Sequence, residues 1–381
     1  MQFKNTDVYK YLFGERVIFL QKTFTMFLVC LVLAGQGEVK GQEDPSGAIK
    51  KYDKSFAGIG PQVYFLPPTR SPEEDLVNSY REKVPFQDSI ARALDFQRLV
   101  EEFKPTSNAT SIQSLFVTMP VTKADWFHLI EKETDEGNYA VAYGLLHAYA
   151  DQALRGKDIK ETLGLLNKAL EQAQKGNNAL DISTIQYNLS NVYFYNKDVL
   201  NAGRFQEERY KNAVQQKSGI EQAASLIKIA LIQAYDKDYR SAEDNIIRKA
   251  IPLLNKAKAY DQKVGAWVSL ARIYQWQNKH TEAQWFLIQA RDLAKSKDIS
   301  DDLAEIEYLL AYSKLAQKNY GVAQQELVNA DKLAKLEKNK VLQLAIVDRL
   351  GQVYLDSRDL KKAASLLQDY QTLKAEIFNN K

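Results

Sequence analysis

The stretch WVSLARIYQWQNKHTEAQWFLIQA, Trp267–Ala290, decides the fold. Its apolar residues recur at helical spacing on both sides of the polar tripeptide Asn278-Lys279-His280, so it predicts two amphipathic helices joined by a tight turn. Ala271, Ala283 and Ala290 are small enough to let the helices approach closely, while Trp267, Leu270, Tyr274 and Leu287 fill the space between them. One match of this kind has little weight, and its recurrence decides the matter.

Working outward, Ala202, Ala242, Ala283, Ala323 and Ala363 occupy equivalent places near the start of each second helix, and Thr162 takes that place one repeat earlier. The successive spacings are 40, 40, 41, 40 and 40 residues, a regularity that points to internal duplication. First-helix partners keep the same register at Leu189 and Tyr193, Ile229 and Ala230, Leu310 and Ala311, and Leu350, Gly351 and Tyr354. The turns match as well, among them Asn196-Lys-Asp, Gln317-Lys-Asn-Tyr and Ser357-Arg-Asp. Polar turns this short force neighbouring helices antiparallel. Six helix pairs are therefore expected from about Asn138 to Phe378, preceded by a lone helix from about Lys123 to Thr134.

On these residues the stretch 138–378 resembles a tetratricopeptide repeat (TPR) array with repeats near 40 residues. The resemblance implies an all-α, right-handed α-solenoid. In its long repeats it is similar to the exported sensor regions of some bacterial signalling proteins. Thr162, Gln206 and Lys314 depart from the consensus core positions. Stacked pairs share one continuous core, and family geometry places the first helix of each pair on the concave face. The inward offsets then select His147 and Asp151, Tyr187, Asn191 and Tyr195, Ile227, Leu231 and Tyr235, Val268, Arg272 and Trp276, and Tyr308 and Tyr312.

From that set Tyr187, Asn191, Tyr195, Tyr235, Arg272, Trp276, Tyr308 and Tyr312 are the candidate partner-binding residues. Aromatic rings give contact area at low entropy cost, an asparagine can hold both sides of a peptide amide, and an arginine can pair with a carboxylate. The competing expectation is that Tyr195, Tyr235 and Trp276, near the helix ends, only close the gap between repeats.

Eight of the nine prolines precede residue 121, and Pro252 alone follows. Residues 42–70 accordingly suggest an irregular linker with an apolar patch at Tyr64, Phe65 and Leu66. Residues 71–137 suggest a helical segment that packs on or caps the array. Ser71, Pro72 and Glu74 form a capping-box start, and a second helix is expected from about Phe86 to Phe103 with Ile90, Leu94 and Leu99 near one face.

Before these lies an export signal, residues 1–41. Lys10, Arg16 and Lys22 precede the apolar run Phe24–Ala34, and Val39 and Gly41 suit a cleavage site before Gln42. Eleven apolar residues are too few for a stable membrane span, which takes about 20. A short anchor or a start downstream of Met1 are the alternatives. The expectation is an exported chain, periplasmic or secreted. Cys30 is the only cysteine, so the mature chain has no disulfide.

Residues 42–381 carry 46 basic and 45 acidic side chains, a balance that argues against a nucleic-acid partner. The three histidines, His128, His147 and His280, fall in different elements, and no HExxH, GxSxG, Walker-type or GxGxxG stretch occurs. No catalytic residue, metal ligand or cofactor is expected. The sequence therefore favours a non-catalytic scaffold of the bacterial envelope that binds a protein or peptide partner. A ligand-sensing module without its own output domain is the alternative, and a helical enzyme a more distant one.

Overall fold

The computed structural model describes residues 50–51, 64–65, 70–115 and 119–378. The expected export signal and most of the expected linker lie outside the described residues. From the linker come only two strands, β1 (Lys50–Lys51) and β2 (Tyr64–Phe65), paired antiparallel with Lys50 opposite Phe65. Residues up to Glu74 form one unit and those from Asp75 another.

Helix α1 (Pro72–Lys83) opens on the expected capping box: the Glu74 N–H donates to Ser71 Oγ at 3.2 Å, and the Ser71 N–H to Glu74 Oε2 at 2.9 Å. Pro85 sits in a 3₁₀ turn, Val84–Phe86, after which α2 (Gln87–Glu101) restarts. A short helix that the periodicity did not suggest, α3 (Ala109–Leu115), comes before the lone helix α4 (Lys123–Asp135).

The array then follows as six helix pairs, in the expected register: α5 (Tyr139–Arg155) with α6 (Ile159–Lys175), α7 (Ala179–Tyr195) with α8 (Val199–Gln215), and α9 (Gly219–Tyr235) with α10 (Tyr239–Asp244) and α11 (Ile251–Ala257). The last three are α12 (Tyr260–Trp276) with α13 (His280–Ser296), α14 (Leu303–Ala316) with α15 (Tyr320–Leu336), and α16 (Lys340–Asp356) with α17 (Leu360–Phe378). Each helix packs on its partner and on the next pair, which makes an all-α solenoid.

The turns explain the period. Most helices are 17 residues long and hand over to the next within three. In each three-residue turn the middle residue is left-handed (Lys157, Asn177, Lys197, Lys217, Lys237, Asn278, Lys318, Lys338 and Arg358), and Lys258 and Asp298 take the same conformation in connections of two and six residues. Two hydrogen bonds close the preceding helix, as where the Asp158 N–H donates to the Ala153 carbonyl and the Lys157 N–H to that of Leu154. In most turns the third residue then caps the next helix, Asp158 accepting from the Glu161 N–H at 2.9 Å and Asp198 from the Asn201 N–H at 3.1 Å, while Ala259, Lys279 and Asn319 make no side-chain cap. Termination and initiation are thus completed in three residues.

The single 41-residue spacing has a local cause. Between α10 and α11 the chain runs as a π-helix, Asn245–Ala250, which takes up one extra residue without disturbing either turn. Pro252, the one proline in the array, begins α11 immediately after it, where a missing N–H does least harm.

Ala202, Ala242, Ala283, Ala323 and Ala363 are fully buried at the helix contacts. Thr162 fits the same place because its hydroxyl donates back to the Asp158 carbonyl at 2.7 Å. Lys314 reaches the Glu326 carboxylate at 3.3 Å. Gln206 is buried with neither amide atom hydrogen-bonded, and the structure offers no compensation for it.

Gly137 takes the left-handed conformation in the turn that leads into the array, but the eleven left-handed positions that follow carry other residues, although each conformation costs an L-residue about 1 kcal/mol. Lys338→Gly is expected to raise stability by about 1 kcal/mol in urea denaturation, and a loss of stability would show that the lysine side chain itself matters.

Candidate functional site

The first-helix side of the array, which family geometry makes the concave face, is packed by the chain's own segment from α1 to α3. It runs from the last helix pair toward the first, opposite to the order of the pairs. Both ends are seated in notches made by glycine. Tyr80 lies against Gly351 of α16, where a Cβ would collide with its ring, and its hydroxyl donates to the Ala363 carbonyl at 2.8 Å. At the other end Ile112 and Asn108 press on Gly144 of α5, where an added Cβ would lie 2.8 and 2.9 Å from their side chains.

Beyond Tyr80, Lys83 is buried with its ammonium 3.9 Å from the Tyr80 ring, 4.4 Å from the Tyr370 ring and 3.2 Å from the Asp348 carboxylate. Burial pulls its pKa below the usual lysine value, with Asp348 opposing. Gln87 donates to the same carboxylate at 3.1 Å. Helix α2 packs on α16 and α7, burying Ile90 in a cluster with Leu344, Val347 and Tyr370, and Leu99 in the core of the first pairs.

Between these contacts α2 reaches the middle pairs through long charged side chains. Arg98 and Arg272 share the Glu305 carboxylate, with Arg98 at 3.0 Å. Burial would raise the Glu305 pKa, but the two guanidinium groups hold it down to about 2. Glu102 pairs with Lys228 of α9.

After α2 the chain is extended, and it is held by its backbone. Asn188 of α7 accepts from the Lys104 N–H at 3.0 Å and donates to the Lys104 carbonyl at 2.8 Å. Asp181 accepts from the Ser107 N–H, the Ser107 hydroxyl and the Tyr143 hydroxyl. Because the Lys104 backbone fixes which way the Asn188 amide points, a second Asn188 N–H meets His147 Nε2 at 2.8 Å. The imidazole must be neutral to accept it. Burial holds the His147 pKa down to about 4.

The eight residues selected from sequence divide into four that touch the segment or its ion pairs, three exposed aromatics, and Asn191. The buried Tyr187 ring has Lys104 Nζ at 4.6 Å and the Arg209 guanidinium at 4.8 Å, Tyr195 meets Phe96 edge-on at 5.8 Å, Arg272 pairs with Glu305, and Tyr308 packs in the Ile90 and Leu94 cluster. Tyr235, Trp276 and Tyr312, here termed the aromatic ledge, remain 42%, 45% and 38% exposed, the first two as the last residues of α9 and α12 and the third a turn before the end of α14. Asn191 lies one helical turn from both Tyr187 and Tyr195, is buried, and its Nδ2 has no hydrogen-bond partner. The grip on a peptide amide expected of Asn191 is made by Asn188.

Asn188, Asp181 and Glu305 were not selected from sequence, since nothing local distinguishes them from surface polar residues. Gly144 and Gly351 did carry a signal. A glycine inside a helix costs stability and usually marks a close approach.

A cavity of about 550 Å³ lies over the outer face of α2, lined by Ala93, Phe96, Val100, Tyr195, Ile377 and Phe378, with Arg92, Lys157 and Glu101 also in its wall. A second, of about 600 Å³, surrounds the π-helical stretch, and its Arg248 and Lys249 pair with Asp244. Among the described residues no group of three histidine, cysteine or acidic side chains is placed to hold a metal ion, and no helix is long and apolar enough to cross a membrane.

No family model matches the chain, and no curated protein matches it in sequence. Among solved structures it is similar to a Rap protein complexed with competence and sporulation factor, at 15% identity and a TM-score of 0.50 over 80% of this chain and 77% of that one. It is also similar to aspartyl phosphate phosphatase F from Bacillus subtilis, at 10% identity and a TM-score of 0.46 over 81% and 96% of the two chains. A signal-transduction ATPase with a tetratricopeptide-repeat sensor, from Pyrococcus horikoshii, aligns at 13% identity and a TM-score of 0.47 over 66% and 42%. The fold is the TPR-like all-α solenoid.

Gly351→Ala should cost about 2 kcal/mol by driving Tyr80 from its notch, whereas the same change in a Tyr80→Ala background should cost little. Equal losses in both backgrounds, measured by urea denaturation, would reject the notch. A second expectation concerns pH. An unfolded histidine takes up its proton near pH 6.5 and the folded one only near pH 4. Stability should therefore fall as pH drops below about 6.5, by about 2 kcal/mol at pH 5, and His147→Gln should flatten that slope. An unchanged slope in the variant would remove His147 from the account.

Proposed function

We propose that this chain is a non-catalytic protein–protein interaction scaffold of the bacterial envelope, taking a peptide or partner helix along its concave side. The observation that carries this reading is that the concave face already holds a helix and an extended stretch. It does so through Tyr187, Tyr195, Arg272 and Tyr308, with Asn188 and Asp181 holding backbone groups. Contacts to backbone amides recognise the form of a peptide, while side-chain pockets select its sequence. The ledge of Tyr235, Trp276 and Tyr312 stays exposed beside the occupied face and offers a partner its first contact.

The apolar run Phe24–Ala34 and the absence of cysteine after Cys30 support an exported chain that works without disulfides. The absence of catalytic sequence motifs supports a binding role over an enzymatic one.

One observation favours a second reading. The cavity of about 550 Å³ is bounded by α2, by Tyr195 near the first pairs and by Ile377 and Phe378 of the last, so a small apolar ligand there would bear on the segment and on both ends of the array at once. That is the geometry a ligand-sensing module would use.

Affinity capture from the envelope fraction, comparing the intact chain with a Tyr235→Ala, Trp276→Ala, Tyr312→Ala variant of unchanged helical circular dichroism, tests the scaffold. The partner is expected to be lost at least tenfold from the variant, and undiminished capture would remove the ledge from the interface.

A further inference from the structure

The segment crossing the concave face also says what the face selects. Resting on the scaffold reading, we infer that α2 is an intramolecular stand-in for the partner. The partner's binding element is then an amphipathic helix with a basic and an acidic residue one turn apart, and it docks by replacing α2.

The charge pattern identifies the chemistry. Arg98 of α2 and Glu102, the residue that closes the helix in a still-helical conformation, stand four residues apart, so they project from one face. The groove answers them in reverse sign, with Glu305 of α14 facing Arg98 and Lys228 of α9 facing Glu102. Apolar residues of α2 meet the walls on either side, Ile90 and Leu94 toward the last pair and Leu99 toward the first. A helix carrying this pattern, in the order apolar, basic, acidic, fits the same seat.

The middle of the seat is the part built for exchange. The ends of the segment are keyed into Gly351 and Gly144, where Tyr80 and Ile112 fill space that no other side chain could share. Over the middle pairs α2 is held through the Arg98 and Glu102 ion pairs. On α7, against which α2 packs, Asn191 keeps a buried Nδ2 without a hydrogen-bond partner, a group that a better-fitting ligand would satisfy. Tyr235, Trp276 and Tyr312 lie uncovered alongside. Anchored at both ends, α2 competes at an effective concentration on the order of millimolar, so an outside helix must match the seat better or find α2 loosened.

The test uses the full-length chain and a fluorescent synthetic peptide of residues 87–104. Fluorescence anisotropy compares the unaltered protein with an Arg98→Ala, Glu102→Ala variant, in which the tethered copy has lost its ion pairs but the groove has lost nothing. The peptide should bind the variant at least tenfold more tightly than the unaltered protein. A peptide with the two charges exchanged, Arg98→Glu and Glu102→Arg, should lose that gain. Equal affinity for both proteins, binding to neither, or undiminished binding of the exchanged peptide would overturn the inference. So would a concentration-dependent dimer of the variant that excludes the peptide, because the occupant would then be a second copy. Should the variant fail to fold, hydrogen exchange on the unaltered protein decides. Amides of α2 should open faster than those of α7 and α16, and equal protection would make α2 a fixed part of the core. Partner capture through the ledge is measured separately, so failure of the peptide leaves the scaffold reading standing.

Discussion

A helix that must end and hand over to an antiparallel neighbour within three residues has very few ways to do so. The turn found here puts one residue in the left-handed region, closes the old helix with two hydrogen bonds, and lets the next residue cap the new one. Everything regular in the array follows from repeating that turn every 20 residues or so. Helix length, the placement of alanine at each contact and the alignment of one stripe of first-helix residues along the concave face all inherit its period. The π-helical stretch Asn245–Ala250 makes the same point by exception, since an extra residue is absorbed inside a helix and the turn is left intact.

This is why so much of the fold was legible. Trp267–Ala290 contains one whole copy of the unit, and the alanine spacing carries its register to the others. The capping box at Ser71 was legible for a related reason: its physics is confined to four neighbouring residues. What could not be seen was that residues 75–112 lie in the groove. The Tyr80 hydroxyl meets Ala363 across 283 residues of chain, and nothing in either neighbourhood specifies the other. Interior glycines at Gly144 and Gly351 were the available hint, and α3, at seven residues, is too short for periodicity to report.

The candidate site was legible as a stripe and not as a list. Family offsets selected Tyr187, Tyr195, Arg272 and Tyr308, which touch the chain's own segment or its ion pairs, because the offsets depend on which face of the first helix meets α2. They missed Asn188 by one turn relative to Asn191, since the segment's extended part lies nearer the junction with the preceding pair than a straight projection allows. Tyr235, Trp276 and Tyr312 were chosen on the same ground, yet they remain exposed in the last turns of their helices. Residues with one sequence signature therefore serve two different surfaces.

The two glycine notches also bear on how such a chain is made. Repeat arrays ordinarily propagate from neighbour to neighbour, each pair needing only the last. Here the portion synthesised early, with Leu76, Tyr80, Ile90 and Leu99, finds half of its seat only when the final pair exists. Until then Leu76, Tyr80 and Ile90 have no cover, although Leu99 already packs in the core of the first pairs. Closing so long a loop is slow compared with forming any single helix pair. Completion of the last pair is thus the event that turns a row of locally stable repeats into one cooperative body, and it makes the C-terminal helices a checkpoint for the whole chain.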